Sequence, residues 1–262
     1  DKAPMLYIGE KVGSGQGPEI DIALDPLEGT TICATGAPNS LAVIAMAEKD
    51  GFLHAPDVYM EKIAVGGGLP AGVVDLDNSV EENLKNLAKA KKSEIADLTV
   101  CILERERHKE MIAKVREAGA RIQLIGDGDV AGVIATSDSK ATSVDLYMGI
   151  GGAPEGVLAA AALRCVGGQM QGRLLFDDSN QRDRAKRMGV TDFNRKYVLE
   201  EMAKGDVMFA ATGVTNGSML RGVHHVAGKA SSHSVVMRSK TGTVRYIKAE
   251  HHFDRKGATP SD

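Results

Sequence analysis

The amino-acid sequence predicts a mixed α/β fold of short strands and helices joined by tight turns. Thirty glycines stand beside only ten Phe and Tyr residues and no Trp, a composition typical of turn-rich α/β proteins with phosphate sites. From residue 97 onward, strand-like runs alternate with helix-like runs, which indicates a mostly parallel sheet with helices on its faces. With 262 residues, of which 43% are hydrophobic, the chain can build one or two domains around a large core.

The first part of the chain is predicted to hold three strands and one helix. Strands are expected at 21–25, 41–47 and 58–65, where apolar residues dominate. The run 77–82 (DNSVEE) combines capping side chains with two glutamates. This pattern predicts the start of a helix that extends to about Lys91.

The second part is predicted to alternate between strands and helices. The expected strands are 98–103, 120–126 and 144–150, and the expected helices are about 107–118, 130–135 and 157–168. We expect a domain boundary near residue 92, which separates an N-terminal subdomain (1–92) from a C-terminal α/β subdomain (93–262). The tail, about 206–262, returns to strand character and is expected to pack back onto a sheet that its pattern does not identify.

Charge and hydropathy argue against several classes of protein. The net charge is −3, and 32 basic and 35 acidic residues are mixed along the chain, so no basic tract is available for a nucleic-acid backbone. No run reaches the roughly 18 apolar residues of a membrane helix, and the first residues lack a signal-peptide layout, so we expect a cytoplasmic protein. Cys33, Cys101 and Cys165 lie far apart in apolar runs, which favours reduced thiols over disulfides or a zinc site. A metal, if bound, is therefore expected to have oxygen ligands.

The segment 25–31 (DPLEGTT) places two carboxylates, a glycine and two hydroxyls after an apolar strand. Its proline is expected to end the strand. Asp25 and Glu28 are hard oxygen ligands that suit Mg²⁺ or Mn²⁺, and the N–H groups of Gly29 and Thr30 can donate to phosphate oxygens. The alternative is a plain Asp-Pro turn that closes the strand.

A second glycine-rich segment, 149–156 (GIGGAPEG), lies between a strand and a helix. The helix start offers N–H groups to an anion, and Glu155 is either a ligand or an ordinary first-turn residue. A dinucleotide site, with Asp177 as the ribose ligand, is a weaker alternative. Pro154 occupies the third-glycine position of that motif, and Asp177 lies somewhat late.

Charged side chains follow two further predicted strands. Arg105, Arg107 and His108 come after 98–103, and arginine forks at a strand end suit a phosphate remote from the reaction. Asp127 and Asp129 follow the next strand and suit sugar hydroxyls. A solvated helix start and an Asp-Gly turn are the respective alternatives.

As a set, the motifs resemble those of the class II fructose-1,6-bisphosphatases of bacteria. The matching segments are DIALDPLEGTT, HAPDVYMEK, the Arg-x-Arg-His after a strand, IGDGDVAGVI, GIGGAPEGVLAAAALRC, ATGVTNGSML and HSVVMRSKTGTVR. The resemblance runs from Asp1 to about Phe253. The Asp-Pro-Leu-Glu-Gly-Thr element alone is shared with the wider lithium-sensitive, magnesium-dependent phosphatases, which include inositol monophosphatases.

The resemblance implies a layered αβαβα sugar-phosphatase fold, a divalent metal (Mg²⁺ or Mn²⁺) and a homo-oligomer, either a dimer or a tetramer. The implied reaction releases the 1-phosphate of fructose 1,6-bisphosphate in gluconeogenesis. Sedoheptulose 1,7-bisphosphate and inositol phosphate are the alternative substrates. A non-catalytic sugar-phosphate or nucleotide sensor is the alternative of another class.

The resemblance also implies roles for individual residues. Asp25, Glu28 and Glu155 would be metal ligands, and Thr30 would be the catalytic hydroxyl beside Asp25 and Glu28. Glu28, Gly29 and Thr30 would hold the scissile phosphate. The rest of the substrate would be bound by Tyr59, Arg105, Arg107, Asp127, Asp129 and Gly152.

The family pattern includes a stretch that has no counterpart in the 262 residues. Family members carry an N-terminal region with a Gly-Glu-Gly-Glu-like element and a further aspartate that complete the metal shell. We therefore expect the sequence to be part of a longer molecule. An incomplete metal site with poor activity is the alternative.

Overall fold

A computed structural model of the protein describes residues 9–253, which contain two six-stranded sheets and eight α-helices. The strands are β1 (Ile20–Glu28), β2 (Leu41–Glu48), β3 (Tyr59–Val65), β4 (Thr99–Leu103), β5 (Arg121–Ile125), β6 (Leu146–Gly152), β7 (Gln169–Leu175), β8 (Lys196–Val198), β9 (Val207–Gly213), β10 (His224–Val226), β11 (Lys229–Arg238) and β12 (Thr243–His252). The helices are α1 (Thr30–Thr35), α2 (Val80–Lys91), α3 (Lys109–Glu117), α4 (Asp129–Ala135), α5 (Ser139–Thr142), α6 (Ala153–Val166), α7 (Ser179–Arg187) and α8 (Leu199–Met202).

The first sheet joins the start of the described chain to its end. Its strands follow the order β1-β2-β9-β11, with β10 and β12 both paired to β11, and all of its pairings are antiparallel. The tail therefore packs back onto β2 through β9. Alternating burial along β1 and β2 reflects a sheet with one face toward the core.

The second sheet has the order β5-β4-β6-β3-β7-β8. Only β4 runs parallel to its neighbours β5 and β6, while the pairs β6-β3, β3-β7 and β7-β8 are antiparallel. The prediction of a mostly parallel sheet is therefore wrong. The physical reason is that β3, from the first third of the chain, inserts antiparallel between β6 and β7, and the alternation after residue 97 carries no trace of that insertion.

Two apolar cores organise the layers. One core lies between the second sheet and the helices α2 and α3, and includes Leu84, Ile102 and Val115. The other core fills the space between the two sheets around α4 and α6, and α6 is buried along most of its length because it is sandwiched there. The layers therefore run helix, sheet, helix, sheet across the described residues.

The outer face of the first sheet is the place where a further helical layer would complete an αβαβα order. Ile20, Ile22 and Leu24 lie on that face and are 43–49% exposed.

β3 precedes residue 92 and yet lies in the second sheet, whereas the tail strands lie in the first. The division of the chain into subdomains at residue 92 stays a prediction.

Strand β1 runs through its proline, contrary to the prediction that the proline ends the strand. The pairing with β2 shifts by one residue between Asp25 and Glu28, which is the signature of a β-bulge. β1 is an edge strand in the described sheet, and Pro26 is tolerated there because an edge strand does not need every N–H group for pairing.

Most other predicted elements are present within a few residues of their expected ends. Ser79 caps α2 by accepting a hydrogen bond from the Glu82 N–H group at 3.2 Å. All three cysteines are free, with Cys101 and Cys165 buried and Cys33 partly exposed. None of the helices in residues 9–253 combines the length and apolarity needed to cross a membrane.

Candidate functional site

The predicted site residues of both sheets meet where β1 ends. The turn between β5 and α4 lies against the β1 bulge: the Val130 N–H group donates to Glu28 Oε1 at 3.2 Å. A side chain at Gly128 would place its Cβ 3.4 Å from Glu28 Oε2, and this glycine has a φ of +81°. The left-handed backbone conformation of this turn therefore favours glycine at position 128.

The bulge itself orders the loop that leads into α1. Asp25 Oδ1 accepts a hydrogen bond from the Leu27 N–H group at 3.0 Å, which fixes the carboxylate across the bulge. Gly29 adopts a left-handed conformation, with a φ of +78°, and precedes the first residue of α1. Thr30 is exposed at that position, so its hydroxyl is accessible from solvent.

A buried serine supports the loop from below. Ser40 Oγ donates to the Glu28 carbonyl at 2.9 Å, and the Ser40 N–H group donates to Thr215 Oγ1 at 3.0 Å. The Val214 N–H group in turn donates to the Ser40 carbonyl at 2.8 Å. The segment ATGVTNGSML thus braces the site from the first sheet, a role that its sequence does not disclose.

The carboxylates of the site raise one another's pKa. Burial, followed by the charge of Asp129, raises the pKa of Glu28 to about 8. Burial also raises the pKa of Asp25 and of Glu155, with nearby carboxylates adding to both effects. Five acids, including Asp127, are therefore close enough to repel each other, and this repulsion favours a bound cation.

The donor chemistry fits a hard divalent metal. Glu28 Oε2 and Glu155 Oε2 are buried oxygens without a hydrogen-bond partner in the described structure. Such oxygens are costly unless a proton or a cation satisfies them. Within residues 9–253, however, no three His, Cys, Asp or Glu side chains form a ready metal cage. The assignment of Asp25, Glu28 and Glu155 as ligands therefore stays a prediction.

Two glycines make room for the carboxylates at the start of α6. A Cβ on Gly151 would lie 2.1 Å from Asp129 Oδ2, and a Cβ on Gly152 would lie 1.9 Å from Glu155 Oε2. A side chain at either position would force the neighbouring carboxylate to move from where it lies. The pair Gly151-Gly152 therefore has a packing reason that does not involve a dinucleotide.

A buried lysine lies beside these glycines. Lys62, on β3, forms an ion pair with Asp129, and its Nζ donates to the Gly152 carbonyl at 2.8 Å. The residue is 1% exposed. The sequence pattern does not single out Lys62, because one lysine in the run YMEKIAV is typical of an exposed strand position.

Arg107 lies at the rim of the site. Its Nε and Nη2 donate to the Ile150 carbonyl at 3.1 and 2.7 Å. Its guanidinium carbon lies 4.7 Å from the centre of the Tyr59 ring, a cation–π distance. The structure therefore brings two of the predicted substrate residues into contact.

Arg105 is held by the end of β5. Its Nη1 donates to the Gly126 carbonyl at 2.5 Å, and its Nη2 lies 3.7 Å from Asp127 Oδ1. Both arginines are thus oriented by backbone carbonyls at strand ends. Their planar forks suit an anion at this rim.

His108 ties the arginine segment to β6. Its ring is buried, its Nδ1–H group donates to the Leu103 carbonyl at 2.7 Å, and its Nε2 accepts from the Ile150 N–H group at 2.8 Å. Burial lowers its pKa, and the charges of Arg107 and Arg105 lower it further. A neutral ring therefore accepts from the N–H group of the same residue, Ile150, whose carbonyl accepts from Arg107. The sequence analysis placed His108 beside the arginines without assigning it a role.

Comparison with known proteins places the chain in a family. Residues 1–251 match the family model described as "Bacterial fructose-1,6-bisphosphatase, glpX-encoded". The chain is 43% identical over 279 residues to proteins named "D-fructose 1,6-bisphosphatase class 2/sedoheptulose 1,7-bisphosphatase" from Synechococcus elongatus, Synechococcus sp. strain ATCC 27144 and Synechococcus sp. strain JA-2-3B'a(2-13). Each of these matches covers 97% of this chain and 80% of the relative.

Proposed function

The chain belongs to the family of bacterial, glpX-encoded fructose-1,6-bisphosphatases, and on that premise we propose that residues 25–30 form the centre at which it hydrolyses the 1-phosphate of fructose 1,6-bisphosphate. Membership of this family makes the chain a hydrolase and confirms the resemblance predicted from its motifs. The observation that carries the residue assignment is the convergence of Asp25, Glu28 and Glu155, with two unsatisfied buried oxygens, beside the Gly29-Thr30 turn.

The reaction transfers a phosphoryl group to water. The water oxygen forms a bond to phosphorus, the bond from phosphorus to the sugar oxygen breaks, and the departing oxygen takes a proton to become the 1-hydroxyl of fructose 6-phosphate. Gly29 and Thr30 N–H groups are assigned to the scissile phosphate, and the exposed Thr30 hydroxyl is assigned to orient the water and help to deprotonate it.

Asp25, Glu28 and Glu155 are assigned to hold Mg²⁺ or Mn²⁺. When bound, the metal supplies positive charge that offsets the phosphate and favours deprotonation of water. Phosphate monoesters hydrolyse so slowly without a catalyst that accelerations of up to roughly 10²¹-fold are known. The clustered carboxylates are suited to concentrating that positive charge at residues 25–30.

Residues at the ends of the second sheet's strands are assigned to bind the rest of the substrate. Arg105 and Arg107 suit the second phosphate, and Asp127 and Asp129 suit the sugar hydroxyls. Tyr59 lies against the Arg107 guanidinium and is assigned to the same part of the substrate. Gly152 lies beside Tyr59 in the strand register and completes this surface.

Sedoheptulose 1,7-bisphosphate is the second candidate substrate, because the cyanobacterial relatives are named for both activities. Two arginines at the rim favour a bisphosphate over inositol monophosphate. We also propose a cytoplasmic, homo-oligomeric enzyme of gluconeogenesis, in line with the family. A sensor that binds without turnover is the alternative that a rate measurement excludes.

The test is phosphate release from fructose 1,6-bisphosphate by the full chain with Mg²⁺, with Mn²⁺ and with excess chelator. We expect turnover with metal and loss of at least about 100-fold with chelator, because the acid cluster repels a phosphate dianion. Sedoheptulose 1,7-bisphosphate in the same assay measures the second activity. Undiminished turnover with chelator would overturn the metal assignment, and tight binding without turnover would favour the sensor.

A further inference from the structure

Lys62 is a buried cation inside an acidic site, and none of the assigned roles accounts for it. Its side chain is fully buried, whereas its sequence neighbour Glu61 on the same strand is half-buried and its charge faces Arg173. Burying an ammonium group costs several kcal/mol unless a partner of opposite charge and good hydrogen bonds compensate it.

The contacts of Lys62 join three separate segments. Its Nζ meets the carboxylate of Asp129, the first residue of α4, and donates to the carbonyl of Gly152, the residue before α6. Lys62 itself lies in the middle of β3, which pairs with β6 and β7. One ammonium group therefore connects β3, the β5–α4 turn and the β6–α6 junction.

The surroundings leave Asp129 little freedom. A Cβ at Gly151 would lie 2.1 Å from Asp129 Oδ2 and 3.0 Å from Lys62 Nζ, so the ion pair sits directly on the Gly151 backbone. Asp129 is 6% exposed. Its Oδ2 is the oxygen in contact with Lys62.

We propose that Lys62 is a positioning residue for the sugar part of the substrate: it fixes one oxygen of Asp129 so that the other is presented to the sugar hydroxyls. The proposal rests on the proposed function, in which Asp129 binds the sugar, and it adds a residue to which the family motifs assign no role. The hydrogen bond from Lys62 Nζ to the Gly152 carbonyl also positions Gly152, which is itself assigned to the substrate.

A purely structural ion pair would behave differently. Its loss would lower stability and reduce activity without a particular effect on substrate affinity. A positioning residue that acts through Asp129 instead raises KM, and its effect disappears when Asp129 has already been altered. A double-mutant cycle on KM separates these cases.

The experiment compares the wild-type chain with Lys62→Met, Asp129→Asn and the double variant, all with metal and fructose 1,6-bisphosphate. We expect each single substitution to raise KM about 10-fold or more, the size typical of a lost hydrogen bond to a charged group, with kcat changed less than about threefold. The KM of the double variant should be no higher than that of the single variant with the higher KM. An unchanged KM in Lys62→Met, or effects that multiply in the double variant, would overturn the proposal.

Lys91→Met is the matched control. Lys91 also pairs with an aspartate, the partly buried Asp145, at 2.5 Å. Asp145 accepts from the Thr99 N–H group at the start of β4, whereas Arg105 and Arg107 follow the other end of that strand. This variant should lower the melting temperature and leave KM unchanged. An equal rise of KM in Lys91→Met would show that Lys62 acts only through general stability.

A second variant and a binding measurement test the proposal if Lys62→Met does not fold or if the wild-type chain shows no turnover. If Lys62→Met fails to fold, Lys62→Arg retains the charge but replaces the compact ammonium with a planar fork, and it should still raise KM. If the wild-type chain binds the sugar bisphosphate without turnover, the proposed function fails, and the same cycle is read from the dissociation constant for fructose 1,6-bisphosphate. Additive effects on that constant would then overturn the Lys62 proposal separately.

Discussion

The two sheets differ in how they are covered and in what they bring to the site. The second sheet is enclosed by α2 and α3 on one face and by α4 and α6 on the other, and every residue of β4 is buried. The first sheet alternates between buried and exposed residues along β1, because only one of its faces meets the core. The enclosed sheet therefore supplies rigidity, and the half-covered sheet supplies an accessible edge.

The assigned chemistry divides along the same line. The first sheet carries Asp25 and Glu28 on a bulged edge strand that leads into Thr30, the residues proposed for the reacting phosphate. The second sheet carries the arginines and Asp129 at the ends of enclosed strands, where backbone carbonyls and Lys62 hold them. Apart from Glu155, which follows β6, the residues proposed for the reaction and those proposed for recognition thus belong to different sheets.

The largest stability difference should come from matched apolar truncations in the two sheets. Ile102 on β4 is fully buried, whereas Ile22 on β1 is 43% exposed. Ile102→Ala should lower the free energy of unfolding by about 2–5 kcal/mol, and Ile22→Ala by less than about 1 kcal/mol. Urea unfolding followed by circular dichroism measures both. Equal losses would contradict the difference in coverage.

A smaller effect should appear as a pH dependence of the metal-free chain. The pKa of Glu28 is about 8 in the folded chain, above its ordinary value of 4.5, so the folded state holds this proton more tightly than the unfolded state. The associated stability is fully present below pH 4.5 and is lost as the pH rises toward 8. We expect a loss on the order of 1 kcal/mol between pH 5 and 8, because water and nearby groups moderate the effect.

Thermal unfolding with excess chelator at several pH values measures this loss. Glu28→Gln is the control, since it removes the titrating group, and its stability should vary less over the same range. Added Mn²⁺ should flatten the wild-type profile. A stability profile that is already flat without metal would contradict the tighter binding of the Glu28 proton in the folded state.

The sequence alone predicted the strands and helices whose patterns are continuous. The run 98–103 matches β4 closely, since every residue of that strand is buried. The region between α6 and β9 was mostly missed. Strand β7 interleaves polar residues and a glycine, and α7 is almost wholly polar, so neither shows a clear hydrophobic period.

The site was predicted in part for a related reason. Motifs at the ends of strands identify residues such as Asp25 and Arg107, because the motif and the strand are adjacent in sequence. Lys62 was missed because its partner Asp129 is 67 residues away. A buried ion pair between distant segments leaves no local pattern, and only the fold brings its members together.

The measurement that tests the central claim most directly is the rate of phosphate release from fructose 1,6-bisphosphate by Thr30→Ala beside Thr31→Ala. Both threonines are exposed neighbours at the start of α1, so the substitutions differ only in position. We predict that Thr30→Ala lowers kcat by about 100-fold or more with little change in KM, and that Thr31→Ala stays within about threefold of the wild type. Equal activity of the two variants would contradict the assignment of the reaction to residues 25–30.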